Sequence, residues 1–245
     1  MTFKAELTDI KLFKEAFESI SRIIDEVQIQ ADSDGLRLKA LDRSHITFIL
    51  FELKAYVFDE YFCDAPEKIN IDCSEFFKVL KKAKTSDILK LSVDEGNFII
   101  IFEGDASRKF NIRLIDLEYD NPTPPNINLP CKITVPSKLL GDALGDMDLF
   151  SDKLLFQIDQ DYFTIKTDGE FGDADIKYLH GENIQKIVQS SYSIDKLADM
   201  LKSSKFTDEC IIELGESMPL RLTMNLPADK GYLSFLLAPR IEQED

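Results

Sequence analysis

Asp116 to Pro130 reads DLEYDNPTPPNINLP and holds four of the chain's nine prolines, Pro122, Pro124, Pro125 and Pro130. Proline fixes φ, removes a backbone donor and pushes the preceding residue toward extended geometry. The stretch is therefore neither helix nor central strand, and it reads as an extended, semi-rigid connector. It lies near the middle of 245 residues, a length that allows one large domain or two ordinary ones. The division that follows is residues 1–116, a connector over 117–130, and residues 131–245. Partners are expected to dock on the connector's side.

Working outward, both flanks carry one pattern used twice. FKAEL (3–7) alternates as a short strand. Leu12, Phe13, Ala16, Phe17, Ile20, Ile23 and Ile24 then recur at helical spacing, with Thr8 or Asp9 as the cap. VQIQAD, GLRLKAL and ITFILFEL follow as strands, with a turn at Asp34-Gly35. The pattern restarts at KINID (68–72), with a helix opened by Ser74 and striped by Phe76, Phe77, Leu80 and Ala83. ILKLSVD, FIIIFEG and RKFNIRLI are its strands, with a turn at Glu95-Gly96-Asn97.

Past the connector, CKITV leads into a helix capped by Ser137 and striped by Leu139, Leu140, Ala143, Leu144 and Met147. KLLFQID, YFTIKTD and GDADIKYL are its strands. KIVQSSYS, the helix SIDKLADMLKSS, and ECIIELGE, PLRLTMNL and GYLSFLLAP make the fourth unit. Strand, short helix, then several strands recur about every 60 residues. The fold class is α+β: two similar halves, each of two such repeats, with helices on one face of antiparallel sheets.

The formal net charge is −16, which by itself argues against phosphate binding. The location of the cations decides the matter. The first helix carries Lys11, Lys14 and Arg22, diluted by Glu15 and Glu18. The second carries Lys78, Lys81, Lys82 and Lys84 against Glu75 alone. The fourth carries Lys196, Lys202 and Lys205 with Asp195 and Asp199. The third has Lys138 beside Asp142, Asp146 and Asp148. A shared helix face is the one candidate for nucleic acid, through weak, sequence-independent phosphate contact. The same cations also fit an ordinary solvated surface.

The common catalytic motifs are missing. His45 and His180 stand apart from any Cys, Asp or Glu at ligand spacing, and there is no GxSxG, GxxxxGK[ST] or GxGxxG. The expectation is no catalytic residue, no metal and no cofactor. The acidic runs Asp159/Asp161 and Asp168/Glu170/Asp173/Asp175 leave a metal-dependent hydrolase as the alternative from another class, although they miss the calcium-loop template. Cys63, Cys73, Cys131 and Cys210 form no CxxC pair and read as reduced, packed thiols. MTFKAELTD lacks the charged start and apolar block of a secretory leader, and no apolar run has membrane-spanning length. An intracellular protein with no membrane contact is expected, in cytoplasm or nucleoid, or in a nucleus.

DGLRLKALDRSHITFILFEL (34–53), DLEYDNPTPPNINLP, and MPLRLTMNL with GYLSFLLAPRIEQED (218–245) together resemble the sliding clamps of the proliferating cell nuclear antigen family, archaeal and eukaryotic type. The resemblance runs the whole chain in order, and ALDRSH and LLAPRIE are its specific parts. It implies a head-to-tail homotrimeric ring around duplex DNA, a non-enzymatic processivity factor. DNA polymerase, the clamp loader, ligase and nucleases would dock through short hydrophobic peptides. A subunit of a heteromeric, specialised clamp shares these features and stays open.

By resemblance, Lys14, Lys78, Lys81, Lys82 and Lys202 sit at or next to DNA-facing positions. Lys11, Arg22, Lys84 and Lys205 join them on charge. Asp142 and Gly145 depart from the family, which often has basic residues there. The partner groove would take Leu41, Asp42, Ser44, His45 and Ile46 from an inner loop, and Pro122, Thr123 and Pro124 from the connector. Met218, Pro219, Leu236, Leu237, Ala238 and Pro239 would supply its floor and C-terminal hook. The subunit seam would pair Arg108, Lys109, Phe110, Ile112 and Arg113 with Asp173, Asp175, Ile176 and Tyr178 of the next copy. Edge pairing of this kind removes an aggregation hazard.

Overall fold

The computed structural model describes residues 2–117 and 122–241, and their side chains apart from residues 203, 204 and 206. Residues 118–121 of the proline stretch and 242–245 of the C-terminal segment lie outside the described residues. By backbone contacts the chain divides into two compact units. The first is Met1–Pro124 with Asn225–Leu233, and the second is Pro125–Met224 with Ser234–Asp245.

The first unit runs β1 (Phe3–Leu7), α1 (Ile10–Ile23), β2 (Glu26–Asp32), β3 (Gly35–Leu41), β4 (Thr47–Lys54), β5 (Glu60–Cys63), β6 (Glu67–Asp72), α2 (Cys73–Leu80), β7 (Ile88–Asp94), β8 (Asn97–Glu103) and β9 (Arg108–Arg113). The strand pairs within it are antiparallel. β1 does not pair with the strand after its own helix. It pairs with β7, after α2, and extends to β8 and β9. Reciprocally β6, before α2, pairs with β2, after α1, and extends to β3 and β4.

The second unit runs β10 (Cys131–Pro136), α3 (Ser137–Met147), β11 (Lys153–Ile158), β12 (Tyr162–Gly169), β13 (Gly172–Leu179), β14 (Val188–Ser193), α4 (Ile194–Met200), β15 (Glu209–Leu214), β16 (Leu220–Asn225) up to Met224, and β17 (Gly231–Leu237) from Ser234 onward. The same exchange recurs. β10 pairs with β15, after α4, while β14 pairs with β11, after α3. Each unit is thus two interlocked repeats. Neither repeat can complete a sheet without the other's leading strand, which makes the unit the smallest piece with a closed core.

The cores follow the periodicities. In α1, Leu12, Phe13, Ala16, Phe17 and Ile20 are buried, and Phe13, Phe17 and Phe76 meet with ring centroids 4.8 to 6.2 Å apart. In the second unit Phe156 meets Phe163 at 5.0 Å and Tyr192 at 5.7 Å. Edge-to-face pairs of this kind add to area burial. The Glu95-Gly96 turn has φ of 46° and 75°, the left-handed pair a primed hairpin needs. Gly35 has φ of 140°, and a Cβ there would stand 2.1 Å from the Leu53 carbonyl oxygen.

The helix starts differ from the sequence expectation. Asp9 holds the cap position of α1, yet neither it nor Thr8 caps through a side chain. Asp59 takes the Thr8 N–H instead, at 2.6 Å. α2 opens at Asp72, whose carboxylate accepts from Glu75 N at 2.8 Å; Ser74 already lies inside the helix. Pro136 precedes α3, and Ser137 is buried with its hydroxyl 3.1 Å from Cys210 Sγ. Of these three starts only that of α2 has a side chain on one of its orphan donors. β5, only four residues long and with Tyr61, Phe62 and Cys63 running on without polar alternation, was not anticipated as a strand. All four cysteines are free, and burial pushes the thiols of Cys73 and Cys210 up, the latter to about 11.

Candidate DNA-contact, partner and assembly surfaces

In the first unit α1 packs against α2, and their outer faces carry the cations. Lys81 and Lys82 follow the last turn of α2 and are exposed, as is Lys84. Lys81 Nζ lies 4.7 Å from the Phe77 ring centroid, and Lys84 Nζ is 3.5 Å from Asp105. Lys14 reaches the carbonyls of Lys81 and Ala83 at 3.5 Å, so it crosses from α1 to this same place. The structure therefore brings Lys14, Lys81, Lys82 and Lys84 together at the C-terminal end of α2, where the helix dipole favours positive charge. Lys78 is 2.6 Å from Glu75 and Lys11 is 3.9 Å from Glu15, so these two are partly neutralised; Arg22 is exposed in the last turn of α1. In the second unit Lys202 and Lys205 fall beyond α4, on a 3-10 turn over Leu201–Phe206. α3 keeps Asp142, Asp146 and Asp148 exposed.

The inner loop of the first unit is built around Asp42. Its Oδ1 accepts from Ile46 N and Thr47 N, both at 2.8 Å, and its Oδ2 from Ser44 Oγ at 2.6 Å. The backbone adds Asp42 N to Thr47 O and His45 N to Asp42 O. Held this way, His45 takes φ of 60° and stands exposed beside Ile46. Leu41, Asp42, His45 and Pro122 line one cavity of about 370 Å³ together with Ile24, Asp25, Glu26 and Arg43. Thr123 is exposed and Pro124 half-buried. Sequence reasoning missed Ile24, Asp25, Glu26 and Arg43. Arg43 Nε lies 3.0 Å from Asp25, a pairing across the unit that spacing does not announce.

In the second unit Met218 O accepts from Tyr192 Oη at 2.7 Å and Ser190 Oγ at 3.2 Å. Burial holds the Tyr192 phenol protonated far above its ordinary range. Gly215 lets Met218 fold back, since a Cβ there would meet Met218 Sδ at 2.4 Å. Met218, Pro219, Leu236, Ala238 and Pro239 are half-buried. Leu237 is 1% exposed, so it supports its neighbours from the core and offers no surface of its own. Arg240 N donates to Ser191 O at 2.8 Å, and its guanidinium holds the Asp152 carboxyl below the usual range. A larger cleft of about 1090 Å³, which nothing in the sequence announced, runs over Lys153, Lys166, Asp175, Gln189 and Ser191 to Pro239 and Arg240.

β9 and β13 are each the last strand of their sheet. Lys109, Asn111 and Arg113 alternate outward on β9, with Phe110 and Ile112 half-buried behind them. Asp173, Asp175 and Lys177 alternate outward on β13, with Ile176 and Tyr178 half-buried. Arg108 points elsewhere, into an ion pair with Asp87. Exposed Leu149 and Phe171, the latter stacked on Phe150 at 5.1 Å, stand beside the start of β13. The acidic run at 159–161 is spent on its own turn: Asp159 Oδ1 accepts from Asp161 N and Tyr162 N, which draws its carboxyl below the ordinary range.

Two units on one strand-exchanged plan, with helix-borne cations and a free strand ending a sheet in each, define the DNA-clamp class of folds. The comparisons with known proteins agree. Residues 2–122 match the proliferating cell nuclear antigen N-terminal domain. A DNA polymerase sliding clamp of Methanobrevibacter smithii is 59% identical over 243 residues, covering 99% of this chain and 100% of the relative. One of Methanothermobacter thermautotrophicus is 56% identical over the same shares, and one of Pyrococcus furiosus 32% identical over 99% and 100%. The chain belongs to the proliferating cell nuclear antigen family of DNA polymerase sliding clamps.

Proposed function

We propose that three copies of this chain close head to tail around duplex DNA and tether replication enzymes to it, without catalysing a reaction. End-to-end similarity to relatives named DNA polymerase sliding clamp carries the reading. The surfaces support it. A copy's β9 edge bears Lys109 and Arg113, and the β13 edge bears Asp173 and Asp175, so edge pairing between copies matches opposite charges. Lys14, Lys81, Lys82 and Lys84, with Lys202 and Lys205, provide point charges, and the Phe77 ring under Lys81 is buried and offers no face for base stacking. That suits weak phosphate contact, which sliding needs. The acidic remainder of the surface repels DNA from everywhere else.

Partner enzymes would present a short peptide with hydrophobic anchors to the cavity at Leu41, His45 and Pro122 of the first unit. In the second unit Met218, Pro219, Leu236, Ala238 and Pro239 are the half-buried apolar candidates for such contact. The protein would work inside the cell, with the connector over 117–130 joining domains 1–116 and 131–245.

Light scattering after size exclusion tests assembly. The expected mass is near three times the 28.0 kDa chain. A persistent single-chain mass at high concentration overturns the homotrimer and points to a heteromeric clamp. His45→Ala is expected to weaken peptide binding at unchanged mass. Equal affinity in a titration would remove the groove.

A further inference from the structure

The free strand β9 and the lysine-bearing turn after α2 share one buried ion pair. Asp87, 2% exposed, precedes β7. Its Oδ2 accepts the backbone N–H of Lys84 at 2.6 Å and also a guanidinium N–H of Arg108, the first residue of β9. The other guanidinium nitrogen donates to the Lys82 carbonyl at 2.9 Å. The guanidinium carbon lies 5.3 Å from the Phe102 ring centroid, over the ring face. Asp87 N closes the turn on Lys84 O at 3.1 Å. Gly104, in the β8–β9 hairpin, leaves the room this needs. A Cβ there would stand 2.5 Å from Asp87 Oδ1.

The turn over residues 81–87 starts with Lys81, Lys82 and Ala83 still donating back to Phe77, Val79 and Leu80, and past Ala83 that helical ladder ends. From there Lys82 O and Lys84 N are both taken by this pair. A buried carboxylate stripped of its cation is strongly unfavourable, so the pair acts as a unit. We infer that Arg108 is a positioning residue: through Asp87 it fixes the backbone that carries Lys82 and Lys84, so their ammonium groups meet DNA phosphates from set starting points. Lysine side chains are flexible, and an unfixed backbone beneath them adds ordering entropy to every contact. This role rests on the proposal that the lysines face DNA. It also takes the Arg108 guanidinium out of the set expected at the seam between copies.

The test is a mutant cycle on the full chain, with a short duplex oligonucleotide titrated at several salt concentrations. Lys82→Ala/Lys84→Ala is expected to reduce the salt slope of log K by about 2. Gly104→Ala preserves every charge and crowds Asp87. It and Arg108→Gln are each expected to reduce the slope by about 1, but to change nothing further in the Lys82→Ala/Lys84→Ala background. Both are also expected to speed amide exchange at Lys84. Losses that add in the combined variants overturn the positioning role alone. An unchanged slope in the lysine variant overturns the DNA reading and the role with it. A variant that loses assembled mass while Lys84 exchange stays at the wild-type rate assigns Arg108 to the seam, which also overturns the role.

Discussion

The two units solve one edge problem in two ways. The leading strand β1 of the first unit is covered on its outer side by β5, in register from Phe3↔Cys63 to Glu6↔Glu60. The equivalent strand of the second unit, β10, has no such neighbour among the described strands. The connection between β13 and β14 supplies side chains there instead. Glu182 Oε1 accepts from Thr134 N at 2.8 Å, Cys131 Sγ contacts Lys186 O at 3.4 Å, and His180 lies buried 3.4 Å from the Glu182 carboxylate. An unpaired strand edge must be satisfied somehow, but the means are free. Core pairing is thus common to both units, and the covering and the surface charge are where they diverge.

The largest effect should fall on what the units share. Phe76→Ala removes a ring in contact with Phe13, Phe17 and Phe98 and is expected to cost about 3–5 kcal/mol in urea unfolding. Phe156→Ala should cost a similar amount in the second unit. A loss below about 1 kcal/mol in either would break the equivalence of the cores.

The divergent covering predicts a smaller effect. Glu182→Ala leaves the Thr134 amide without its acceptor and is expected to cost about 1–3 kcal/mol, with faster exchange at Thr134. Phe62→Ala on β5, where the ring is 54% exposed, should stay within about 0.5 kcal/mol, because backbone pairing does the covering there. Equal costs at the two sites would mean that both coverings work through side chains.

Surface charge separates the units next. Lys81→Glu/Lys82→Glu should reduce the salt slope of DNA binding by about 2 and keep the assembled mass, whereas Asp142→Asn/Asp146→Asn on α3 should not weaken binding. Weaker binding in the second pair would sink the contrast.

The smallest effect is acid-dependent and present in both. Asp59 is drawn down by the Thr8 hydroxyl and N–H, and Asp159 by the N–H groups of Tyr162 and Asp161. Each folded-state value lies below the unfolded one. The stability they add is therefore complete above the ordinary carboxylate pKa of about 3.9 and is lost as pH falls through the folded value. Asp59→Asn and Asp159→Asn should each flatten the acid limb of stability against pH. An unchanged limb would show that these turns do not report on folding.

Much of this was legible in the sequence because local patterns carry it. The stripe Phe13, Ala16, Phe17, Ile20 gave α1, and strict alternation in GDADIKYL gave β13 to the residue, Gly172–Leu179. The specific stretches ALDRSH and LLAPRIE carried the family, and ALDRSH contains the loop that the structure builds around Asp42. Asp9 does hold the cap position of α1, but the caps expected at Ser74 and Ser137 were misplaced, because Asp72 meets the α2 donor and Ser137 turns into the core beside Cys210. The cavity residues Ile24, Asp25, Glu26 and Arg43 and the Arg108–Asp87 pair joined residues far apart in sequence, with no spacing rule to expose them.

By itself, the sequence determined the repeat, the antiparallel α+β class, the family and the presence of cations on helices in an acidic chain. These depend on periodicity and composition, which are properties of neighbouring residues. Only the tertiary structure decided that each leading strand pairs in the other repeat's sheet, that Lys14 joins Lys81, Lys82 and Lys84, and that Arg108 turns inward. Those outcomes depend on which distant groups meet once the apolar faces are buried, and a buried donor or charge takes the partner that packing brings to it.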